Sequence, residues 1–218
     1  MCVILGACLT TPLSPSRWEA FMGGLNSMAN RGPDDWGWAL FSAMGQDNFA
    51  SRVFQGNNHR HPEWAEQADI WLGHRRLSII DLSRAGHQPM SFDKNRFWIV
   101  YNGEVYNYLE LRDELRRLGY EFHTGTDTEV ILTAYKEWEE SCFDRFNGMW
   151  AMAILDRHSK SLLLSRDRSG VKPLYYCWHD GSFFFGSEIK AVLKASQKER
   201  LAHDNVVRNF LQIGRAHV

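Results

Sequence analysis

The sequence predicts an α+β fold, and three observations carry that expectation. Short apolar runs gather toward both ends of the chain, two amphipathic helical stretches lie between them, and no regular strand–helix–strand alternation links them. The 218-residue length suits one large domain, or one domain with a short tail. With 44% hydrophobic residues and nine tryptophans, the composition is that of a chain with its own core and not of a disordered one.

The elements follow in order. Residues 2–9 are a short apolar run ahead of the turn-rich TTPLSPS, the pattern of a buried strand. A helix is expected from Ser16, because SRWE places Glu19 three residues on as a capping box. Its end is expected near Asn30, where RGP breaks it. Strands are expected at WGWALFS, SRVF, ADIWLGHRRLSII and RFWIVYN. LELRDELRRLG reads as an amphipathic helix stopped by Gly119. TDTEVILTAYKEW reads as another, with Thr126 and Glu129 as a capping box. WAMAILD, KSLLLSRD, LYYCW and SFFFG supply four closely spaced strands, and residues 187–193 a final helical stretch. There is no internal repeat and no low-complexity segment.

Several function classes lose support. A net charge of -1 gives no electrostatic argument for nucleic acid or an anionic membrane and favours a small molecule or a protein partner. The four cysteines (Cys2, Cys8, Cys142, Cys177) are too scattered for a disulfide framework, and without a CxxC pair a zinc site has no support. The HRH of residues 59–61 lacks acidic or cysteine neighbours, so no metal site is assigned. LGAC has the look of a lipid-attachment signal, but the first positive charge is Arg17 and the apolar stretch before it is too short. A cytoplasmic, reduced protein is expected, and no apolar run approaches the roughly 20 residues of a membrane-spanning helix.

Four features carry chemistry, each beside a plainer reading. Cys2 is either a small buried hydrophobe or, once Met1 is removed, a thiol beside its own free amine. Asn102–Gly103 in NGEVYNY is either a hairpin turn or a pair of donors for an oxyanion, with glycine leaving room for substrate. Of Arg75 and Arg76, neighbours on a strand, one is expected to point inward. There it would meet Asp81 or Asp69, or clamp a substrate carboxylate. Asp127 at a helix start either offsets the macrodipole or binds a cation.

Taken together the motifs are specific. MC, RGPDD, GHRRLSIID, GHQPM, NGEVYNY, TDTEVIL, FNGMWAMAILD, RDRSGVKPLYY and GSEIKAVL occur in this order from Met1 to about Leu193. The chain resembles the glutaminase domain of a class II glutamine amidotransferase, most closely the asparagine synthetase branch. That resemblance implies an N-terminal-nucleophile hydrolase fold, a four-layer αββα sandwich with two mainly antiparallel sheets between helical layers. It implies Cys2 as nucleophile, Asn102 and Gly103 as oxyanion hole, Arg76 on the carboxylate of L-glutamine, and Glu104 and Asp127 on its ammonium. Leu77 and Ile79 join the substrate-binding positions. It implies a glutaminase domain over 2–193, a linker or helix starting at 194–212, and no cofactor on this chain. ATP and Mg belong to a synthetase domain or subunit that accepts the ammonia, and a homodimer is compatible with the resemblance. The SGGxDS loop of such a synthetase is not in these residues.

Three positions depart from the family pattern. Val3 stands where glycine is common, and its β-branched side chain beside the reacting amine would crowd substrate or stiffen the terminus; Asn30 stands where a histidine often precedes RGPD, and the stretch 43–68 is long. That stretch reads as a solvated hairpin and loop, with a lip or partner contact as its functional alternative. The ending IGRAHV at 213–218 resembles one reading frame of a sequencing adapter and is expected to be non-native. A catalytically silent docking domain is the competing reading of the whole chain.

Overall fold

The computed structural model describes residues 1–11, 14–42, 52–55, 68–78, 83–199, 204–205 and 207–209. The described strands are β1 (Val3–Cys8), β2 (Asp35–Phe41), β3 (Arg52–Gln55), β4 (Ile70–Arg76), β5 (Met90–Phe92), β6 (Phe97–Val105), β7 (Gly148–Asp156), β8 (Ser161–Arg166), β9 (Tyr175–His179) and β10 (Ser182–Gly186). The helices are α1 (Pro15–Asn26), α2 (Tyr108–Arg117), α3 (Asp127–Trp138), the single turn α4 (Cys142–Arg145) and α5 (Ile189–Ser196). One sheet has the order β3-β2-β4-β1-β10-β9, the other β5-β6-β7-β8. All pairings are antiparallel.

Strand alternation sorts the side chains into three apolar layers. On β1, Val3, Leu5 and Ala7 pack with Trp18, Phe21 and Leu25 of α1 and Val192 of α5. On β6, Phe97, Ile99 and Tyr101 pack with Leu111 and Leu115 of α2 and Val130 and Ile131 of α3. Between the sheets, Ile4, Phe41, Leu72 and Phe185 meet Trp98, Val100, Ala151 and Ala153. The order helix, sheet, sheet, helix is the αββα sandwich. In each strand named, the residues of one parity face the helices and those of the other face the opposite sheet.

Local departures from the sequence expectations have identifiable causes. The first helix begins at Pro15, because Ser14 in extended conformation accepts the Arg17 N–H and Pro15 occupies the first turn, where its missing N–H costs nothing. Ser16 and Glu19 therefore lie inside the helix and form no capping box. The helix stops at Asn26, where Ser27 Oγ donates to Gly24 O at 2.6 Å, and residues 27–30 continue as turns to RGP. Thr126 does cap α3, accepting the Glu129 N–H at 3.3 Å. Glu129, however, reaches back to the His123 and Thr124 N–H groups and not to that of Thr126. Gly119, at φ +94°, ends the α2 turn as expected. The three-residue strand β5 inside GHQPMSF was not anticipated. The RFWIVYN strand runs on through NGEV to Val105, so Asn102–Gly103 is mid-strand and no hairpin turn forms there. Of 43–68, the structure describes β3, which pairs with β2, and Ala68. The HRH triplet, Ile79, Asp81 and the 213–218 ending lie outside the described residues.

The turn after β8 is organised by one carboxylate. Asp167 accepts N–H groups from Trp150, Val171 and Lys172 at 3.2, 2.9 and 2.9 Å. Burial alone would raise its carboxyl, but these donors outweigh burial and hold it below the usual carboxylate range. A depressed folded value gives stability that is complete above the unfolded value of about 3.9 and fades as pH falls through the folded one. Asp167→Asn should therefore be less stable than wild type at pH 7, with the gap closing below about pH 4, read by urea unfolding across pH.

Gly103 on β6 owes its identity to the neighbouring strand. A Cβ there would collide with the Met149 carbonyl oxygen and the Trp150 Cα on β7. A backbone reason for glycine thus stands beside the expectation that it leaves room for substrate. Gly103→Ala should cost about 1–3 kcal/mol of stability by overpacking, measured by urea denaturation.

Candidate active site

Alternation along three strands, together with the start of α3, brings the sequence-derived candidates to one place. On β4, Ile70 and Leu72 face the second sheet, and Arg76 follows in the same parity at the strand end. On β6, Trp98 and Val100 face the first sheet, and Asn102 and Glu104 extend that face beyond the apolar layer. Cys2 continues the Ile4 face of β1. The sheets part at this edge into a cleft lined by Cys2, Arg76, Leu77, Asn102, Gly103, Glu104 and Asp127. Every candidate except Ile79, which lies outside the described residues, is in it.

Cys2 Sγ sits against the residue after β4. The Leu77 N–H donates to Sγ at 3.4 Å, and Sγ stands 3.5 Å from Leu77 O. Burial pushes the thiol above its usual value, while the Leu77 N–H, the chain-terminal ammonium and Arg76 pull against that. Met1 lines the same cleft: its ammonium donates to Arg31 O at 3.1 Å, and Lys172 Nζ lies 3.4 Å from its sulfur. Val3 is fully buried among α1 side chains, on the face opposite Cys2, so its side chain points away from the cleft.

Asn102 is 1% exposed, and its Nδ2 has no hydrogen-bond partner among the described residues. A buried amide donor left unpaired is costly unless something else accepts its hydrogen. Its backbone faces Ala151 on β7 in the register that also sets Gly103 opposite Trp150.

Both arginines are interior, because this sheet is covered on both faces. Arg75 (9% exposed) turns to the helix side, where Nε donates to Leu25 O at 2.9 Å and the guanidinium meets Asn26 Oδ1 and the Trp36 ring. Arg76 (7% exposed) turns into the cleft, with Nη1 donating to Ser83 O at 2.8 Å and the guanidinium lying over Gly86, where a Cβ would collide with it. Each arginine thus donates to a backbone carbonyl, Arg75 to Leu25 O and Arg76 to Ser83 O, while Asp81 lies outside the described residues.

Asp127 heads α3 with its carboxylate turned inward. Oδ2 accepts from Tyr101 Oη at 2.8 Å and from the Val105 N–H at 3.1 Å. Burial raises its carboxyl, with these donors and the helix N-terminus opposing. The Tyr101 phenol is pushed well above its usual value by burial and by that carboxylate.

Sequence reading missed Tyr101, Gln88, Thr128 and Lys172, which also line the cleft. Tyr101 reads as an ordinary core residue in an apolar strand. Gln88 and Lys172 sit in GHQPM and VKPL, where the chain shows a polar residue and nothing of its direction. No group of three or more potential metal ligands occurs among the described residues.

A profile of the family described as "Glutamine amidotransferase domain" matches residues 40–217. Bacillus subtilis asparagine synthetase [glutamine-hydrolyzing] 3 is 46% identical over 132 residues, covering 60% of this chain and 21% of that protein. Asparagine synthetase [glutamine-hydrolyzing] 1 of the same organism is 39% identical over 159 residues, covering 72% and 25%. The chain thus spans about a fifth to a quarter of the length of these two relatives. Among solved structures, the glutamine phosphoribosylpyrophosphate amidotransferase of B. subtilis matches with a TM-score of 0.71 at 19% identity, over 89% of this chain and 43% of that one, a likeness of fold. The sandwich, the motif order and the family match agree, and the chain belongs to the glutamine amidotransferase domain family.

Proposed function

We propose that this chain hydrolyses L-glutamine to L-glutamate and ammonia, with Cys2 as the nucleophile once Met1 has been removed. The observation that carries this reading is the buried Nδ2 of Asn102, without a partner among the described residues, in the same inter-sheet cleft as the Cys2 thiol. Backbone groups alternate sides along a strand, so the Gly103 N–H points the same way as that of Tyr101, off β7 and toward the cleft. Two donors then converge beside one thiol, the arrangement a developing oxyanion needs.

The chemistry proceeds in two halves. The α-amine of Cys2, with a reference value of about 7.7–8.0, takes the thiol proton, whose own reference value is about 8.5. The sulfur attacks the side-chain amide carbon, a C–S bond forms, and the carbonyl oxygen becomes an oxyanion held by Asn102 Nδ2 and the Gly103 N–H. Collapse breaks the C–N bond, the α-ammonium returns its proton to the departing nitrogen, and ammonia leaves a thioester. Water, deprotonated by the same amine, adds to the thioester, and the C–S bond breaks to give glutamate and the free thiol.

The cleft suits a zwitterion. Arg76 supplies a cation for the α-carboxylate, with the guanidinium fork matched to it, and Glu104 and Asp127 supply anions for the α-ammonium. Leu77 lines the same wall beside the sulfur. The ammonia acceptor we place in a synthetase domain or subunit of the asparagine-synthetase kind, which would carry the ATP and Mg chemistry; the relatives' names support this. Residues 2–193 would form the glutaminase unit, with 194–212 leading toward the acceptor. No helix among the described residues is long and apolar enough to cross a membrane, and we place the reaction in the cytoplasm.

The deciding assay is ammonia release from L-glutamine by purified chain whose loss of Met1 has been verified by mass spectrometry. Cys2→Ala should abolish release with the fold intact, and an unchanged rate would rule the mechanism out. Asn102→Ala should lower turnover on the order of 10²–10³-fold, whereas a loss below about threefold would reduce Asn102 to a structural residue.

A further inference from the structure

Tyr101 immediately precedes Asn102, at a point on β6 where the flanking strand has ended: Met90, the first residue of β5, pairs with Ile99. The backbone groups of Tyr101 on that open edge are taken by side chains. Its N–H donates to Gln88 Oε1 at 2.7 Å, and its carbonyl oxygen lies 3.0 Å from His74 Nε2. A carbonyl only accepts, so Nε2 carries the proton and His74 is the donor. Its phenol is tied to Asp127. Three links therefore fix the residue in front of the unpaired Asn102 amide.

His74 reaches across from the other sheet. It lies on β4 between Leu72 and Arg76 on the inter-sheet face, fully buried. Its Nδ1 has no partner among the described residues, a cost that an apolar side chain of similar size would avoid. Burial drives the imidazole down to about 3, against a small upward pull from the Tyr101 carbonyl and Asp35 and with His87 and Arg76 adding to the fall. A neutral ring donating one bond, with its other nitrogen left bare, is a poor source of stability and a good spacer.

We propose that His74 is a positioning residue for the oxyanion hole. By donating from β4 to the Tyr101 carbonyl, it sets the plane of the peptide that joins Tyr101 to Asn102, and through it the aim of the Asn102 amide and the Gly103 N–H. The same strand carries Arg76, so one bond fixes the substrate clamp relative to the donors that meet the reacting carbonyl. This inference rests on the glutaminase reading.

The test uses the full chain with Met1 removed, melting curves to confirm folding, and two probes. The nitrile analogue of glutamine, 2-amino-4-cyanobutanoate, is attacked by the Cys2 thiol. A C–S bond forms and the thiol proton ends on the nitrile nitrogen, which lies in the hole. L-Glutamate fills the clamp without forming an adduct. In His74→Leu, nitrile affinity should fall about tenfold or more, glutamate affinity less than about twofold, and kcat for glutamine about tenfold or more at nearly constant KM. His74→Gln, whose amide places a donor near Nε2, should recover most of each loss. Should the Leu variant unfold, His74→Asn, whose shorter amide does not reach Tyr101 O, carries the same expectation. Equal weakening of both probes, or no rescue by His74→Gln, overturns the proposal while leaving an active wild type and the glutaminase reading standing. A wild type that binds the nitrile no better than Cys2→Ala does overturns the glutaminase reading and this proposal with it.

Discussion

The site depends on the distance and register between two sheets that share no backbone ladder. Cys2 and Arg76 belong to one sheet, Asn102 and Glu104 to the other. What separates them is a dry layer in which Phe41 and Trp98 meet edge to face at 5.2 Å, with Ile4, Leu72, Val100 and Ala151 filled in around them. Apolar contacts set spacing well and direction poorly, because they are not directional. A slip of one residue in any strand would turn its cleft residue toward the helices. The polar tie from His74 to Tyr101 supplies direction where the apolar layer ends and the cleft begins.

Three ionisable side chains of low exposure gather where the layer opens, with the half-buried Glu104 beside them. Arg76 and Lys172 are 7% and 6% exposed, and Asp127 is 5% exposed. Burial penalises the charged form of Asp127, and its carboxyl is raised despite the donors around it. On the proposed reading, a ligand ammonium arriving beside Asp127 would favour its charged form, and a carboxylate would meet the Arg76 guanidinium. An amino acid offers both ends at once. On the proposed reading, a ligand carrying only one of the two charges would forgo one of these pairings, and discrimination would arise there.

Much of this was legible in the chain because the period of a strand is short. The runs CVILGAC, IWLGHRR and FWIVYNGEV declare which residues share a face, and once Ile4, Leu72 and Val100 are placed inward, Cys2, Arg76 and Asn102 follow by parity. The errors have physical causes as well. The α1 start was read from Ser16 and Glu19, but a serine in front of a proline is the stronger stop, and Ser14–Pro15 won. Asn102–Gly103 carried a turn signal that the β7 pairing overrode: the glycine answers to Met149 across the ladder and not to a bend. Arg75 and Arg76 were split into one inward and one outward, a rule for sheets with a wet face, and here helices cover the other side. Gln88 and Lys172 could not be found from the chain, since their direction is set by tertiary contacts, with the Tyr101 N–H for the one and with Met1 at the other end of the chain for the other.

The beginning of the chain shows how a terminal residue can be placed with the accuracy of an interior one. Val3 is not exposed at all, packs among α1 side chains and pairs with Arg75 across β1–β4. Its β-branched side chain, stiff at χ1, therefore anchors the strand one residue from the thiol instead of intruding on it. Cys2 is fixed in turn by the Leu77 N–H on the following segment, so both its backbone neighbour and its sulfur are held before any substrate arrives. Met1 has weaker attachments, an ammonium on the Arg31 carbonyl and a thioether beside Lys172. Its removal breaks neither the β1 pairing nor the sulfur contact. It would leave an amine next to a thiol whose sulfur the Leu77 N–H already holds.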